Sequence, residues 1–373
     1  MSSAEREAML LVLVTALACA VPGVLLVLRR LALMGDAIGH VLLFGVVGMY
    51  YLTRDLDSPW LVVGAVLSGV LTVALVELLE RTQLVRGDAA IGLVFPALFS
   101  VGTLIAALHF RDTPLDVDQV LLGHVEYASS APMAHLFGVP IGRRPTVALA
   151  TLALLNVTLA VVFFKELKLT TFDAALAATL GFLPALVHYG LMTVVSLTAV
   201  AAFDSVGPVL VVAFLVLPAL TARLLSDRLH VVFALSLAAA AVGAIAGVRA
   251  AFFLHTNIAG MVAVTMGLLY GVTLLVAPKR GLLAAEWQRF ARRRAFAETV
   301  LAIHLAEHEG TPAEADESSC SGLHRHLDWR PADVTGVVRR AERHGLVTRT
   351  GDALKLTAMG RQHARTAFGH LPG

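Results

Sequence analysis

From His230 to Gly281 the chain reads HVVFALSLAAAAVGAIAGVRAAFFLHTNIAGMVAVTMGLLYGVTLLVAPKRG. Two apolar runs, 230–252 and 258–277, flank a short polar joint at His255. Each has the roughly 20 residues that a helix needs to cross a bilayer core of about 30 Å. Beyond Lys279 and Arg280 the chain stops being apolar. This one stretch therefore holds a spanning pair and the border of a second region. Read backwards from it, the pattern repeats at about 8–28, 31–52, 59–80, 89–109, 146–164, 175–203 and 206–224. The expected fold is an all-α polytopic membrane protein with eight or nine transmembrane helices. The run 175–203 holds Gly181, Pro184 and Gly190 and should bend or break. The mixed segment 110–145, with Pro114, Pro132, Pro140 and Pro145, leaves room for a short re-entrant or surface helix.

Composition agrees. Of 373 residues, 57% are hydrophobic and 15% charged, against about 45–50% and about 25% in soluble domains. A single water-soluble globule and a disordered chain are both excluded. The domains expected are a membrane domain over 1–278, a basic interfacial linker helix over 279–295 and a soluble domain over 296–373. Cys19 and Cys320 are the two cysteines, too few for a disulfide framework. The first run follows Glu5, Arg6 and Glu7 and lacks the basic start of a signal peptide, so it reads as a retained helix.

Lys and Arg gather in alternate joints: Arg29 and Arg30, Arg81 and Arg86, Lys165 and Lys168, Arg223 and Arg228, Lys279 and Arg280. The other joints hold Asp55 and Asp57, Asp112, Asp116 and Asp118, Asp204, and His255, with Arg54, Arg111, Arg143 and Arg144 against the trend. Positive residues favour the cytoplasmic side. The soluble tail is then cytoplasmic, and with nine spans the N-terminus lies outside.

Ionisable groups inside spans are functional candidates, because burying them in lipid is costly. Asp36 and His40 stand four apart, on one face of a helix. Carboxylate and imidazole suit a divalent transition metal; a neutral hydrogen-bonded pair joining two helices is the alternative. His188 reads as a deeper residue, more often a packing histidine than a ligand. Asp204 reads as the start of a span, where it caps a helix or faces a pathway. Glu77 reads as interfacial. Lys165 to Ala177 is charged, then amphipathic: an interfacial anchor or a short helix that docks a partner. The chain carries no Gly-x-x-x-x-Gly-Lys-Ser/Thr loop, so ATP chemistry of that kind would need another subunit.

Seven stretches, in order, resemble the ABC-3 family of permeases of manganese, zinc and iron importers. They are Leu33–His40, Asp88–Gly92, Asp116–Gly123, Lys165–Asp173, Ala202–Gly207, Pro218–Ala222 and Ala277–Leu282. The resemblance implies a permease in the bacterial cytoplasmic (inner) membrane, without its own ATPase site or a permanently bound cofactor. It implies two ABC ATPase subunits, a second permease copy or paralogue, and an extracytoplasmic metal-binding protein. The cargo would be Mn2+, Zn2+ or Fe2+. It gives Asp36 and His40 the part of metal-path residues, with Asp204 and His188 as weaker candidates. Phe172, Asp173, Ala174, Ala177 and Gly181 take the part of an ATPase-coupling helix. Gly39 stands where relatives often carry Ser, and Leu43-Phe44-Gly45 where they often carry Leu-Pro-Gly.

In the tail, Arg-rich 281–296 with Trp287 and Phe290 reads as an interfacial helix. A second helix follows at about 296–309. Helices at Leu323–Leu327 and Pro331–His344, a hairpin over Leu346–Leu356 turning at Gly351-Asp352, and a last helix from Thr357 to Phe368 come next. This order resembles the winged helix-turn-helix of the diphtheria-toxin-repressor family. That makes a fused metal-responsive DNA-binding regulatory tail the alternative reading, with Arg330, Arg339, Arg340 and Arg343 as its DNA-binding residues. Charge speaks against nucleic acid: 295–373 hold nine Lys and Arg and ten Asp and Glu, where a DNA binder shows a basic excess. Cys320, His324 and His326 offer three metal ligands in seven residues, without the spacing of a closed zinc site. They read as solvent-exposed.

Overall fold

The first helix is apolar on every face, the mark of a helix surrounded by others. In the computed structural model this helix, α1 (Ser3–Leu28), is the axis of the membrane region. The structure describes all residues except 1–2, 56–57, 86, 110–124, 126–129, 137–138, 279, 328 and 369–373. Asp57, Arg86, Arg111, Asp112, Pro114, Lys279 and the stretch Asp116–Gly123 thus lie outside the described residues. The chain divides into two compact units, Met1–Gly281 and Leu282–Gly373.

The first unit continues with α2 (Ala32–Thr53), α3 (Trp60–Arg81), α4 (Asp88–His109), the strands β1 (Met133–Leu136) and β2 (Val139–Arg143), and α5 (Arg144–Val162). Then come α6 (Phe164–Phe172), α7 (Ala174–Thr179), α8 (Pro184–Val206), α9 (Pro208–Leu225), α10 (Leu229–Leu254) and α11 (Ile258–Val276). Among the described residues, nine helices are long and apolar enough to cross a membrane: α1 to α5 and α8 to α11. Helix α1 packs against α5, α8, α9 and α10, while α2 packs against α3, α4 and α8.

Small and polar side chains let these helices approach and hold. Asn156 of α5 donates from Nδ2 to the Ala18 carbonyl of α1 and to Thr198 Oγ1 of α8, both at 2.9 Å. One buried amide thereby ties three helices. Gly45 of α2 meets the backbone of Gly64 and the hydroxyl of Ser68 on α3.

Two expectations need correction here. The described end of the mixed segment, residues 133–143, forms an antiparallel hairpin, while the rest of that segment, where a short helix is expected, lies almost wholly outside the described residues. Pro132, Pro140 and Pro145 leave no room for uninterrupted helical turns, whereas a two-stranded ribbon tolerates a residue without an N–H at its edge. The run 175–203 does break, at residues 180–183 with Gly181 at φ +88°, but α8 extends to Val206. Asp204 therefore lies in the last turn of α8 and caps nothing. The boundary is Gly207, at φ +81°, with Pro208 opening α9.

The second unit is mostly helical: α12 (Leu282–His308), α13 (Glu314–Glu317), α14 (Leu323–His326), α15 (Pro331–Arg343), the hairpin β3 (Val347–Thr350) and β4 (Ala353–Leu356), and α16 (Ala358–Phe368). The helices α14 and α15, the hairpin and the last helix fall where the sequence predicts them, whereas the polar stretch from Glu309 to Ser321, expected as a loop, holds the short α13. The two helices expected over 281–309 are a single one, because no Pro or Gly interrupts Leu282–His308. Its first half exposes Leu283, Trp287 and Phe290. Its second half enters a core with Leu301, Leu305, Leu323, Val337, Val338, Leu346 and Leu354.

Candidate metal path and coupling segment

Helix α2 presents Asp36 and His40 together. His40 Nε2 stands 3.6 Å from Asp36 Oδ1, with side chains 36% and 43% exposed. Beyond hydrogen-bond range, the two donors are adjacent without being consumed by each other. The His40 ring stacks on Phe95 (centroids 5.7 Å apart) and meets Phe99 edge-on, so α4 fixes the orientation of the imidazole.

Gly39, between them, packs under the Phe203 ring of α8; a Cβ there would overlap that ring. This is the physical reason for glycine at a place where the family resemblance leads one to expect serine. Phe203 precedes Asp204, which is exposed. The end of α8 thus reaches α2 at the Asp36–His40 level. Gly39 lies seven residues past Ala32, where α2 begins, about 10 Å along α2. Phe203 lies fifteen residues past His188, about 22 Å along α8.

His188 is elsewhere. It sits in the second turn of α8, with Nε2 3.3 Å from Glu77 Oε1 of α3 and Nδ1 3.5 Å from an Arg29 nitrogen. Tyr189 donates to Glu77 Oε2 at 2.6 Å. His188 therefore sits between Glu77 and Arg29, and the structure does not bring it to Asp36 and His40. Glu77 is more than an interfacial charge: it joins α3 to α8. Sequence spacing could not reveal a pairing across 111 positions.

Arg29 also grips the next segment. It donates from Nη2 to Thr170 Oγ1 at 3.0 Å and from Nε to Thr171 Oγ1 at 3.2 Å. Both threonines lie at the end of α6. Asp173 follows and caps α7, its Oδ1 accepting from the Leu176 N–H at 2.8 Å. Phe172, Leu176 and Leu180 are exposed around this short helix while Ala177 is buried. Phe172, Asp173, Ala174, Ala177 and Gly181 thus form one small cap-and-turn element between α6 and α8.

In the second unit, Arg340 is not a free cation. Its Nε donates to Glu298 Oε1 at 3.1 Å, and His344 Nδ1 lies 2.7 Å from Glu298 Oε2. A carboxylate buried as deeply as Glu298 (8% exposed) requires such partners. This removes Arg340 from the four arginines expected to face DNA. Arg330, Arg339 and Arg343 are exposed. Cys320 and His324 line a cleft with Arg349 and Asp352, whereas His326 faces Glu317; the three proposed ligands do not converge. Burial pushes the Cys320 thiol above its usual range.

A bundle of apolar helices with polar pairs set inside its spans defines an integral membrane transport protein. The chain belongs to the ABC 3 transport family, whose model matches residues 2–277. It is 40% identical over 355 residues to the zinc transport system membrane protein TroD of Treponema pallidum, covering 95% of this chain and 96% of that one. It is 38% identical over 268 residues to the manganese transport system membrane protein MntD of Bacillus subtilis, covering 72% and 90%. The second unit is about a quarter of the chain, so the treponemal match extends into it. The fold is similar to a chain of PsaBC from Streptococcus pneumoniae in complex with Fab, at TM-score 0.63 and 24% identity, covering 77% of this chain and 96% of that one.

Proposed function

We propose that this chain is the membrane-spanning permease subunit of an ATP-driven importer of a divalent transition metal ion, Mn2+, Zn2+ or Fe2+, in a bacterial cytoplasmic membrane. The relatives named for zinc and manganese transport support that cargo. One observation carries the path: a carboxylate and an imidazole, both partly exposed, on the same face of a spanning helix. Facing lipid, such a pair would be strongly disfavoured. Facing a second permease copy across a water-filled seam, it offers a hard-to-borderline metal two ligands and no cage. A cation then pauses and leaves. At about 10 Å along α2 from its start and about 22 Å along α8 from His188, the pair lies inside a core about 30 Å thick. Asp204 adds a second carboxylate, and a third possible ligand, at that level.

The basic joints are cytoplasmic on this reading, and α7 is where two ATPase subunits engage. Its exposed Phe172 and Leu176 give them an apolar grip, and Arg29 links it to the helix bearing the metal pair. His188 is a positioning residue in that linkage. An extracytoplasmic binding protein would deliver the ion from the other side. The second unit is a cytoplasmic winged helix that serves the transporter rather than DNA, a reading supported by its near-neutral charge and by the internal use of Arg340.

Uptake of radioactive or isotopically labelled Mn2+ and Zn2+ by cells expressing Asp36→Ala or His40→Ala tests the path. Wild-type uptake at equal membrane abundance would remove the pair from it. Deleting residues beyond Ala295 tests the tail. Altered metal-coupled ATPase supports a transporter role; unchanged transport with altered promoter occupancy would favour a fused regulator.

A further inference from the structure

A second set of metal-type donors stands in the C-terminal unit, away from anything the transport reading uses. His304 and His308 project from α12 one turn apart, Glu317 ends α13, and His326 ends α14. One ligand atom each from His304, His308 and Glu317 fall within 4.8 Å of one another. Glu317 Oε2 lies 3.2 Å from His304 Nε2 and 3.1 Å from His326 Nδ1. Metal–ligand bonds of about 2.0–2.1 Å put adjacent corners of a tetrahedron about 3.3–3.4 Å apart. The two separations at Glu317 Oε2 are close to those edges, with His326 standing beside the trio of His304, His308 and Glu317.

Two further features point to a cation. Glu317 Oε2 is buried and has no hydrogen-bond partner, although two imidazole nitrogens face it. His304 Nε2 instead lies within hydrogen-bond distance, 3.2 Å, of the Glu317 backbone carbonyl, and a buried carboxylate oxygen left so is costly. A metal ion would compensate it. His308 Nδ1 lies 2.9 Å from the His304 carbonyl. As donor there, it leaves Nε2 with a free lone pair, the backbone arrangement common behind metal-bound imidazoles. Asp316 Oδ2, 3.7 Å from His326 Nε2, stands behind the other outer ring.

We propose that His304, His308, Glu317 and His326 form a binding site for one divalent transition-metal ion of the zinc type. Three nitrogens and one oxygen suit tetrahedral coordination. The bound ion would fasten the end of α12 to α13 and α14, so that the occupied and free tails differ in rigidity. The site is independent of the Asp36–His40 path and stands or falls without it.

The test uses the full-length chain purified in detergent, titrated with Zn2+ against a chromogenic chelator and with Co2+ by visible absorption. Asp36→Ala/His40→Ala should retain one equivalent per chain and the intense spectrum of tetrahedral Co2+. His326→Gln and Glu317→Gln should each weaken that equivalent at least about tenfold, a scale already reached by losing a group that only orients a ligand. Cys320→Ser/His324→Gln should leave it unchanged. His326 is at the surface, so its variant tests the ligand without opening the core, and hydrogen exchange of the tail amides checks that the fold persists. Wild-type affinity in both His326→Gln and Glu317→Gln overturns the proposal. So does a thiolate charge-transfer band, which would move the metal to Cys320, or loss of all bound metal in the Asp36→Ala/His40→Ala chain.

Discussion

The Asp36–His40 pair and the His304–His308–Glu317–His326 group use the same donors in opposite ways. The first has two ligand atoms 3.6 Å apart on one helix, both partly exposed, with aromatic walls. The second gathers four side chains from three helices around one buried carboxylate oxygen. Two donors give a cation somewhere to stop; four give it somewhere to stay. A transporter that bound cargo in the second manner along its path would stall, because slow release limits turnover. The difference lies in donor number and closure, since Asp, Glu and His serve the same metals in both places.

The largest effect should come from removing the open pair. A charge-assisted contact is worth about 1.5–3 kcal/mol, so Asp36→Ala should lower metal uptake by about ten- to a hundredfold while tail-bound metal persists. Elemental analysis of the purified variant beside cellular uptake checks both halves, and joint loss would collapse the division between passage and retention.

Next is Glu298→Ala, which leaves Arg340 and His344 unpartnered around a buried position. Breaking a buried pair costs about 3–5 kcal/mol. Because Arg340 is a quarter exposed, about 2–3 kcal/mol is expected. Hydrogen exchange in the intact protein should show tail amides opening more readily and the spans unchanged. Gly39→Ser should cost about 1–2 kcal/mol through overlap with Phe203. Adding Phe203→Leu should recover part of it, seen as non-additive melting temperatures in detergent. Asp173→Ala removes the α7 cap for about 1 kcal/mol; its sign should appear as weaker metal-stimulated ATPase at unchanged metal affinity.

The smallest effect concerns what the tail site excludes. Burial holds the Cys320 thiol above its ordinary range, so the thiolate forms later than in an exposed cysteine as pH rises. Alkylation, followed by peptide mass to separate it from Cys19, should lag a free thiol near pH 8 and approach it at higher pH. Rapid modification near neutrality would make Cys320 a competent ligand and blur the all-nitrogen-and-oxygen description.

The spans were legible because length and composition alone set them, and the 180–183 break was legible because Gly181 and Pro184 announce it. The adjacency of Asp36 and His40 was legible from a four-residue interval. The same interval separates His304 from His308, and that signal was passed over because Cys320, His324 and His326 lie closer together in sequence. What spacing could not convey was the partner of each group. Glu77 reaches His188 from one helix to another, Phe203 decides Gly39, and Glu298 engages Arg340. Each pairing depends on how helices cross, which no local pattern encodes. The 133–143 hairpin was missed for a different reason: its prolines marked an irregular segment, but nothing nearby named the strand partner.

Arg29 has one more consequence. Its guanidinium holds Thr170 with one nitrogen and Thr171 with another, seven positions before Asp36. On the reading proposed above, it is the clutch between nucleotide hydrolysis and ion movement. Arg29→Lys keeps the charge but cannot span both hydroxyls in a fixed fork. Such a transporter should idle: nucleotide would still turn over, while the number of ATP molecules consumed per ion delivered would rise. An unchanged ratio in reconstituted vesicles would assign the gearing to another joint.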